Sequence, residues 1–310
     1  WASQIDRFVQ QFVLQRDSRR EDEMETCVEP CQLCGVGNLQ KFEIPNSSVL
    51  WVCRDCELYQ YGEIVDEQAY AGDYHSGYEV HRRGKIRTAR IRLNRIRSRL
   101  NLSSRPRVLD VGCSIGATLE AARQIGWDAV GVDVSQDAVD YCCQRDLSAQ
   151  KVDGLKLPFP DNEFDVVVNW HVIEHVADVQ ATLAEWHRVI RPGGMLVMET
   201  PDAASPRVRK RGASYRKFWA PEHTYTFTYQ NLKRFIERAG LTVERTPMLG
   251  SLFNFNPLLG GYAALYQSYH GLRRLLGIQK AFQIFARKKV MDSATPLLAS
   301  ANPCLDEKVA

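Results

Sequence analysis

From Arg107 onward the chain alternates strand-like and helix-like segments, and this alternation restricts its fold more than any other feature. RVLDVG reads as a strand, ATLEAARQIG as a helix ending at Gly126, and DAVGVDV as a strand. SQDAVDYCCQRD follows as a helix with Ser135 as its N-cap. AQKVD and EFDVVVN read as strands, then come a helix near VADVQATLAEWHRVI, the turn RPGG and the strand MLVMETP. TYQNLKRFIERAG is a further helix, LTVERTPML a strand and FQIFARKKV the last strand. Strands separated by helices pair in parallel and are covered on both faces, so the expectation is an α/β chain built on one mostly parallel sheet.

The composition agrees with this. The 310 residues are 45% hydrophobic and 25% charged, enough for one large core or a core plus a small module. That excludes disordered, collagen-like and disulfide-dense chains. No run of 18 apolar residues occurs, so no spanning helix is expected. The first residues lack an uninterrupted apolar stretch and a small-residue cleavage site, so no signal peptide is expected either. The formal charge is +3 but uneven: residues 82–107 hold eleven Lys or Arg and no acid, leaving 29 basic against 37 acidic residues elsewhere.

Five regions are expected. Residues 1–26 form an N-terminal helical extension, with Ile5, Phe8, Val9 and Phe12 on one face. Residues 27–62 form a cysteine module with strand-like KFEIP and VLWVC. Residues 63–105 hold a tyrosine-rich linker and a basic helix over 79–101, whose apolar stripe is Ile86, Ala89, Leu93, Ile96 and Leu100 and which Pro106 ends. Residues 106–290 form the α/β core, with an apolar insertion at 250–279, and 291–310 a loose tail.

The first core strand runs into Asp110-Val-Gly112-Cys-Ser114-Ile-Gly116 and then a helix. Glycines there let a ligand approach the backbone at the strand's carboxyl end. The second strand ends in Asp133, 21 residues after Gly112, where an acid can accept hydrogen bonds from a ribose diol. A dinucleotide fingerprint would need glycine at 114, where this chain has Ser. A ligand with ribose and adenine but no phosphate, such as S-adenosylmethionine, fits better. With Asp153 after the third strand, the run LPFPDNEFDVVVN, the turn RPGG and the closing strand, the set resembles the class I S-adenosylmethionine-dependent methyltransferases. The resemblance covers about residues 105–290 and implies a Rossmann-like seven-stranded sheet. It implies that Asp110, Gly112 and Gly116 hold the methionine part of the cofactor, with Ser114 a cofactor-binding residue at a variable loop position. Asp133 would bind its ribose, Asp153 with Gly154 and Leu155 would flank its adenine, and Val134 and Asn169 complete the expected cofactor-binding residues.

Cys31-x2-Cys34-x18-Cys53-x2-Cys56 has the spacing of a tetrahedral four-cysteine zinc ribbon, in which the metal is structural. Such cysteine usage suits a reducing, cytoplasmic compartment. CQLCG and WVCRDCELYQYGEIVDEQAYAGDYHSGYE ahead of this core resemble a bacterial subgroup serving sugar, surface-glycan or natural-product pathways. That subgroup also carries a W-x-P-x-H-x-x-x-F segment, here Trp219 to Phe227, and has Gly where this chain has Glu57.

Trp170-His171-Val-Ile-Glu174-His175 follows the fourth strand. Three roles fit it. Glu174 and His175 can brace a helix starting near Val176. His171 or His175 can serve as a general base for an acceptor hydroxyl. Or His171, Glu174, His175 and His223 can hold a divalent metal, an arrangement similar to metal-dependent O-methyltransferases, whose first Glu is here His171. The H-x-x-E-H pattern of metalloproteases is set aside, because it needs a long helix.

The basic helix and a second basic run, Arg207 to Arg211 with Arg216 and Lys217, flank the same end of the sheet. The expected acceptor is therefore an anionic, sugar-containing small molecule or lipid-linked intermediate. Tyr225 would stack on its sugar, and peripheral membrane contact is allowed. The rival readings are a zinc-ribbon RNA methyltransferase, a nicotinamide-dependent oxidoreductase and a non-catalytic scaffold.

Overall fold

A computed structural model describes residues 30–44, 49–61, 81–100, 105–152, 155–215, 218–219, 222–244 and 281–290. The expected N-terminal helix, the tyrosine-rich linker up to residue 80, the insertion 250–279, the tail, and Asp153 and Gly154 lie outside these residues.

The N-terminal module contributes β1 (Leu39–Glu43), β2 (Val49–Cys53) and β3 (Tyr59–Tyr61), paired antiparallel. Helix α1 (Arg82–Arg97) follows, then β4 (Arg107–Val111), α2 (Ala117–Gln124), β5 (Asp128–Asp133), α3 (Gln136–Cys143), β6 (Ala149–Lys151) and β7 (Phe164–Trp170). After a 3₁₀ turn at Ile173–His175 come α4 (Val179–Val189), β8 (Ile190–Pro201), α5 (Pro206–Arg211), β9 (Tyr225–Thr226), α6 (Tyr229–Arg238), β10 (Leu241–Val243) and β11 (Ala281–Lys288). Seven strands form one sheet in the order β10-β11-β8-β7-β4-β5-β6. From β8 to β6 the pairs are parallel, whereas β11 runs antiparallel to both neighbours. This is the Rossmann-like seven-stranded sheet expected above.

Period-two burial builds the core. Val108, Val166, Val168 and Val197 point to the face that packs against Ile86, Ala89, Leu93 and Ile96 of α1. Their neighbours Leu109, Val167, Leu196 and Met198 point the other way, against Leu183, Trp186 and Phe235 of α4 and α6. Side chains covered on both faces explain why these strands read as continuous apolar runs. Each fully buried Val or Leu adds about 1.5–3 kcal/mol.

Three local expectations change. The basic helix is shorter than 79–101 and stops at Arg97, where the Ser98 hydroxyl caps the Arg95 carbonyl at 2.9 Å, well before Pro106. RPGG lies within β8, looping out between Ile190, opposite Phe164, and Met195, opposite Val166; Gly193 turns there at φ 79°. The helix expected near Val176 begins at Val179, because Asp178 caps it by accepting the Ala181 N–H at 2.9 Å.

The cysteine module does not stand apart from the core. β3 pairs with β9, making a four-stranded sheet in the order β1-β2-β3-β9. Asn231 of α6 donates to the Glu57 carbonyl at 3.0 Å, Arg238 donates to the Leu33 carbonyl, and Leu33 and Leu58 share a core with Leu232 and Phe235.

Candidate active site

In this sheet order the chain leaves β4 toward β5 on one side and returns through β7 on the other. The crevice at the carboxyl ends of β4 and β7 is where open α/β sheets take ligands. The glycine loop lines it. Gly112 has φ 73°, and an added Cβ there would lie 2.3 Å from Val172 Cγ2. Gly116 has φ 66°, with Leu147 Cδ1 and Cys142 Sγ at 2.7 and 2.9 Å from such a Cβ. Ser114 also sits at positive φ, 48°. Its N–H donates to Asp133 Oδ2 at 2.8 Å, while Asp133 Oδ1 accepts the Ser135 N–H at 3.0 Å. The second strand's acid therefore shapes the first strand's loop.

Several polar atoms converge on the crevice without partners. Asp110 Oδ1, Ser114 Oγ, and both Oδ1 and Nδ2 of Asn169 are buried with no hydrogen bond among the described residues. A buried polar group without a partner costs about 1–3 kcal/mol, so four such atoms fit a polar ligand. Burial pushes the Asp110 carboxyl up to about 8; the nearby Asp133 charge adds to this, and Thr118 and Arg92 oppose it. Beyond β5 and β6, Val134 and Leu155 are 37% and 47% exposed, apolar surfaces able to flank a flat ring. The residues present thus fit a cofactor with an amino-acid end, a ribose and an adenine.

The histidine cluster lies beyond β7. His171, at φ 61°, holds Glu174 Oε1 at 3.1 Å through Nδ1 and Glu199 Oε1 at 3.3 Å through Nε2. Glu174 is fully buried, and its Oε2 accepts the Thr200 hydroxyl at 2.9 Å. Glu199 is further tied to Arg92 and Gln283, each at 2.6 Å. Burial disfavours a charged His171, but the two carboxylates outweigh it and raise its pKa to about 9. Burial likewise opposes ionisation of Glu199, yet Arg92 and His171 hold it down at about 2. The two carboxylates thus favour the charged form of His171 and engage both of its ring nitrogens.

His175 is different. Its Nδ1 stands 2.9 Å from the Glu222 carbonyl, which can only accept, so Nδ1 is the donor of that bond. The His223 ring lies 4.9 Å from it, centroid to centroid. Burial lowers His223 to about 4, and its Nδ1 is buried without a partner among the described residues. Ligand atoms of Glu174, His175 and His223 all lie within 4.8 Å of one another. The Thr224 N–H donates to the Glu174 carbonyl at 2.8 Å, which fixes His223 beside that residue. Tyr225, expected to stack on a sugar, is instead buried, with its hydroxyl on the Ala177 carbonyl at 3.0 Å. His171 and His175 sit on a 3₁₀ turn and the residues before it rather than on a helix, which disposes of the metalloprotease pattern.

The four expected cysteines also come together. All their sulfurs lie within 4.8 Å of one another, with Cys31 and Cys56 at 3.4 Å and Cys34 and Cys53 at 3.5 Å. These distances are too long for disulfides and close to the edge of about 3.8 Å of a tetrahedron with metal–sulfur bonds of about 2.3 Å. The two knuckles are built alike: Gly35 N–H donates to the Cys31 carbonyl at 2.7 Å and Glu57 N–H to the Cys53 carbonyl at 2.8 Å, with φ of 71° and 57°.

Sequence reasoning missed Glu199, Thr200 and Arg92. The signal available was the acid in METP, a charge at the carboxyl end of an otherwise apolar strand.

A family model described as a methyltransferase domain matches residues 79–246, more than half of the chain. The demethylmenaquinone methyltransferase of Staphylococcus saprophyticus is 28% identical over 202 residues, 56% of this chain and 83% of that protein. Its counterpart in Staphylococcus aureus is 28% identical over 190 residues, 53% of this chain and 75% of that one. A crystal structure of a SAM-dependent methyltransferase from Archaeoglobus fulgidus superposes with a TM-score of 0.49 at 23% identity, covering 70% of this chain and all of that one. Family match and strand order agree: the chain belongs to the methyltransferase-domain family and is a class I S-adenosylmethionine-dependent methyltransferase.

Proposed function

We propose that the chain methylates a hydroxyl of an anionic, sugar-containing acceptor, either small or lipid-linked, with His175 as the group that takes the proton. The observation that carries this reading is the edge-to-face pair of imidazoles, His175 and His223, beside the buried Glu174. When bound, S-adenosylmethionine supplies a methyl group on a sulfonium. Asp110, Ser114 and Asn169 would hold its amino-acid end, with Gly112 and Gly116 leaving the backbone bare. Asp133 would take the ribose, and Val134 and Leu155 would cover the adenine, joined by Asp153 and Gly154 as the family resemblance implies. Holding acceptor and donor in line can itself supply roughly 7–11 kcal/mol.

The Glu222 carbonyl takes Nδ1–H of His175, which leaves Nε2 as the ring atom to receive a proton in this reading. His171 does not move a proton. It clamps Glu174 and Glu199 and so positions the turn that carries His175. Support for an anionic acceptor comes from α5, where Arg207, Arg209, Lys210 and Arg211 follow β8. The relatives' names give demethylmenaquinone as their acceptor; the reading here rests on this chain's own cations. The test is release of S-adenosylhomocysteine on a panel of sugar phosphates, nucleotide sugars and polyprenyl-linked sugars. His175→Ala should lower kcat by roughly 10²–10⁴ while S-adenosylhomocysteine still binds. Full turnover in that variant, or turnover on RNA alone, overturns the reading.

A second reading has its own observation. The orphaned, neutral His223 Nδ1 makes Glu174, His175 and His223 a donor set suited to a divalent ion. In that case chelators would abolish turnover and added Mn²⁺ or Mg²⁺ would restore it. A base mechanism predicts indifference to both.

For Cys31, Cys34, Cys53 and Cys56 we propose one structural zinc. Four thiolates close the coordination sphere and leave no position for chemistry. One zinc per chain by metal analysis is the expected result. Cys53→Ser should lower stability far more than cofactor affinity.

A further inference from the structure

A cleft of about 310 Å³ opens between the cysteine module and α5. Its walls come from both bodies: Phe42 and Tyr59 from the module, and Ala203, Arg209, Gly212 and Trp219 from the core. The three rings form one cluster, with Phe42 5.4 Å from Tyr59 and 4.9 Å from Trp219, and Tyr59 5.1 Å from Trp219. The Trp219 indole N–H is held by the Gly212 carbonyl at 3.0 Å, which fixes that ring as a wall. A Cβ added at Gly212 would meet nothing within 4 Å, so the floor beside it is open. Across the mouth, Arg209 and Glu57 stand 3.5 Å apart, 63% and 61% exposed. An exposed pair at that distance contributes little and yields readily to a ligand.

Two residues lining the cleft are close in sequence to the histidine cluster. Thr200, which bonds Glu174, is three residues from Ala203, and Trp219 is four residues from His223. At no more than about 3.3–3.6 Å per residue, the Cα atoms of Thr200 and Ala203, and of Trp219 and His223, lie within about 10–14 Å of each other. An acceptor reaching from one to the other needs a reactive end, a short span and a second ring.

We infer that this cleft holds the far end of the acceptor, a ring with an apolar face that carries an anionic group. The inference rests on the acceptor reading given above. The aromatic walls would take the apolar face, Arg209 would pair with the anion, and Glu57 would accept from a ring hydroxyl. Remote binding of this kind lets the energy of the far end position the reacting hydroxyl.

The full chain saturated with S-adenosylhomocysteine is titrated by ligand-observed NMR with glucose 1-phosphate, 2-naphthyl phosphate and hexyl phosphate. One of the two ring phosphates should bind, and which binds more tightly tells a pyranose from an aryl ring. Tyr59→Leu should weaken that binding about tenfold, and Arg209→Gln should weaken it about tenfold as well. S-adenosylhomocysteine affinity should stay unchanged in both variants, since neither residue touches the glycine loop. Hexyl phosphate binding as tightly as the rings overturns the proposal. So does ring-phosphate affinity unaltered in both variants, or no binding of either ring at millimolar concentration. Failure of the unmodified chain to bind S-adenosylhomocysteine would instead strike the methyl-transfer reading.

Discussion

The Asp133 carboxylate accepts the N–H of Ser114 at 2.8 Å, so one side chain links the end of β5 to the loop after β4. The same carboxylate is the proposed ribose acceptor. Asp133→Ala should therefore weaken S-adenosylhomocysteine by roughly 10–100-fold, the worth of one or two hydrogen bonds to a charged group. Asp133→Asn, which keeps one acceptor oxygen, should fall between. Calorimetric affinity within twofold of wild type in the alanine variant would remove Asp133 from the site.

Asp110 is the second test. Its carboxyl is raised to about 8 by burial, so near neutral pH it is largely protonated before the cofactor arrives. A cationic amino group beside it would favour the carboxylate and expel that proton. Binding enthalpy near pH 7 should thus vary with the ionisation enthalpy of the buffer, by up to about one proton released. Asp110→Asn should abolish the variation. A buffer-independent enthalpy in the unmodified chain would contradict the assignment.

His171 makes a prediction about pH and stability. Its folded pKa is raised to about 9 from an ordinary 6.5. The stabilisation it gives is complete below about pH 6.5 and is lost as pH rises through 9. Asp110 pulls the same way between about pH 4 and 8, because its raised pKa favours the folded state only while it is protonated. The comparison that isolates His171 is urea denaturation of wild type against His171→Asn. The gap between them should narrow from pH 6.5 to 9.5, and a gap independent of pH would count against the imidazolium clamp.

Glu57 carries a left-handed backbone at the place where its sister knuckle has Gly35. A non-glycine residue there costs roughly 1–2 kcal/mol, and glycine's greater freedom in the unfolded chain takes back about 0.5–1. Glu57→Gly should stabilise the chain by about 0.5–1 kcal/mol, the exposed pair with Arg209 contributing little. Thermal melting of the zinc-loaded chain decides it; a lower Tm would show that the carboxylate matters more than the turn.

The α/β core was readable because each strand and helix announces itself locally. Ser135 caps as its sequence context suggests, and the apolar stripe of the basic helix is buried as its spacing requires. The cysteine cluster was equally legible, since CxxC spacing is short-range geometry. β3 and β9 were not. YQY and YT are too short for a period to show, and their pairing joins segments far apart in the chain. The roles of the histidines were only partly legible. The sequence brings His171, Glu174 and His175 together, but Glu199, which with Glu174 favours the charged form of His171, comes from another strand. Tyr225 was misplaced for a similar reason: a strand partner and the Ala177 carbonyl bury it, and neither is visible from residue type.

The pairing of β3 with β9 also has a temporal side. Tyr59 meets Thr226, so the module's sheet gains its fourth strand only after another 167 residues have been made. At ordinary elongation rates of 5–20 residues per second, that delay is on the order of ten to thirty seconds. During that interval the nascent cysteine hairpin has an open strand edge and lacks the α6 surface that covers it in the finished chain. The zinc proposed for the four cysteines would be a stabilising event open to the hairpin in that interval, so zinc supplied during translation should give more of the folded chain than zinc supplied afterwards.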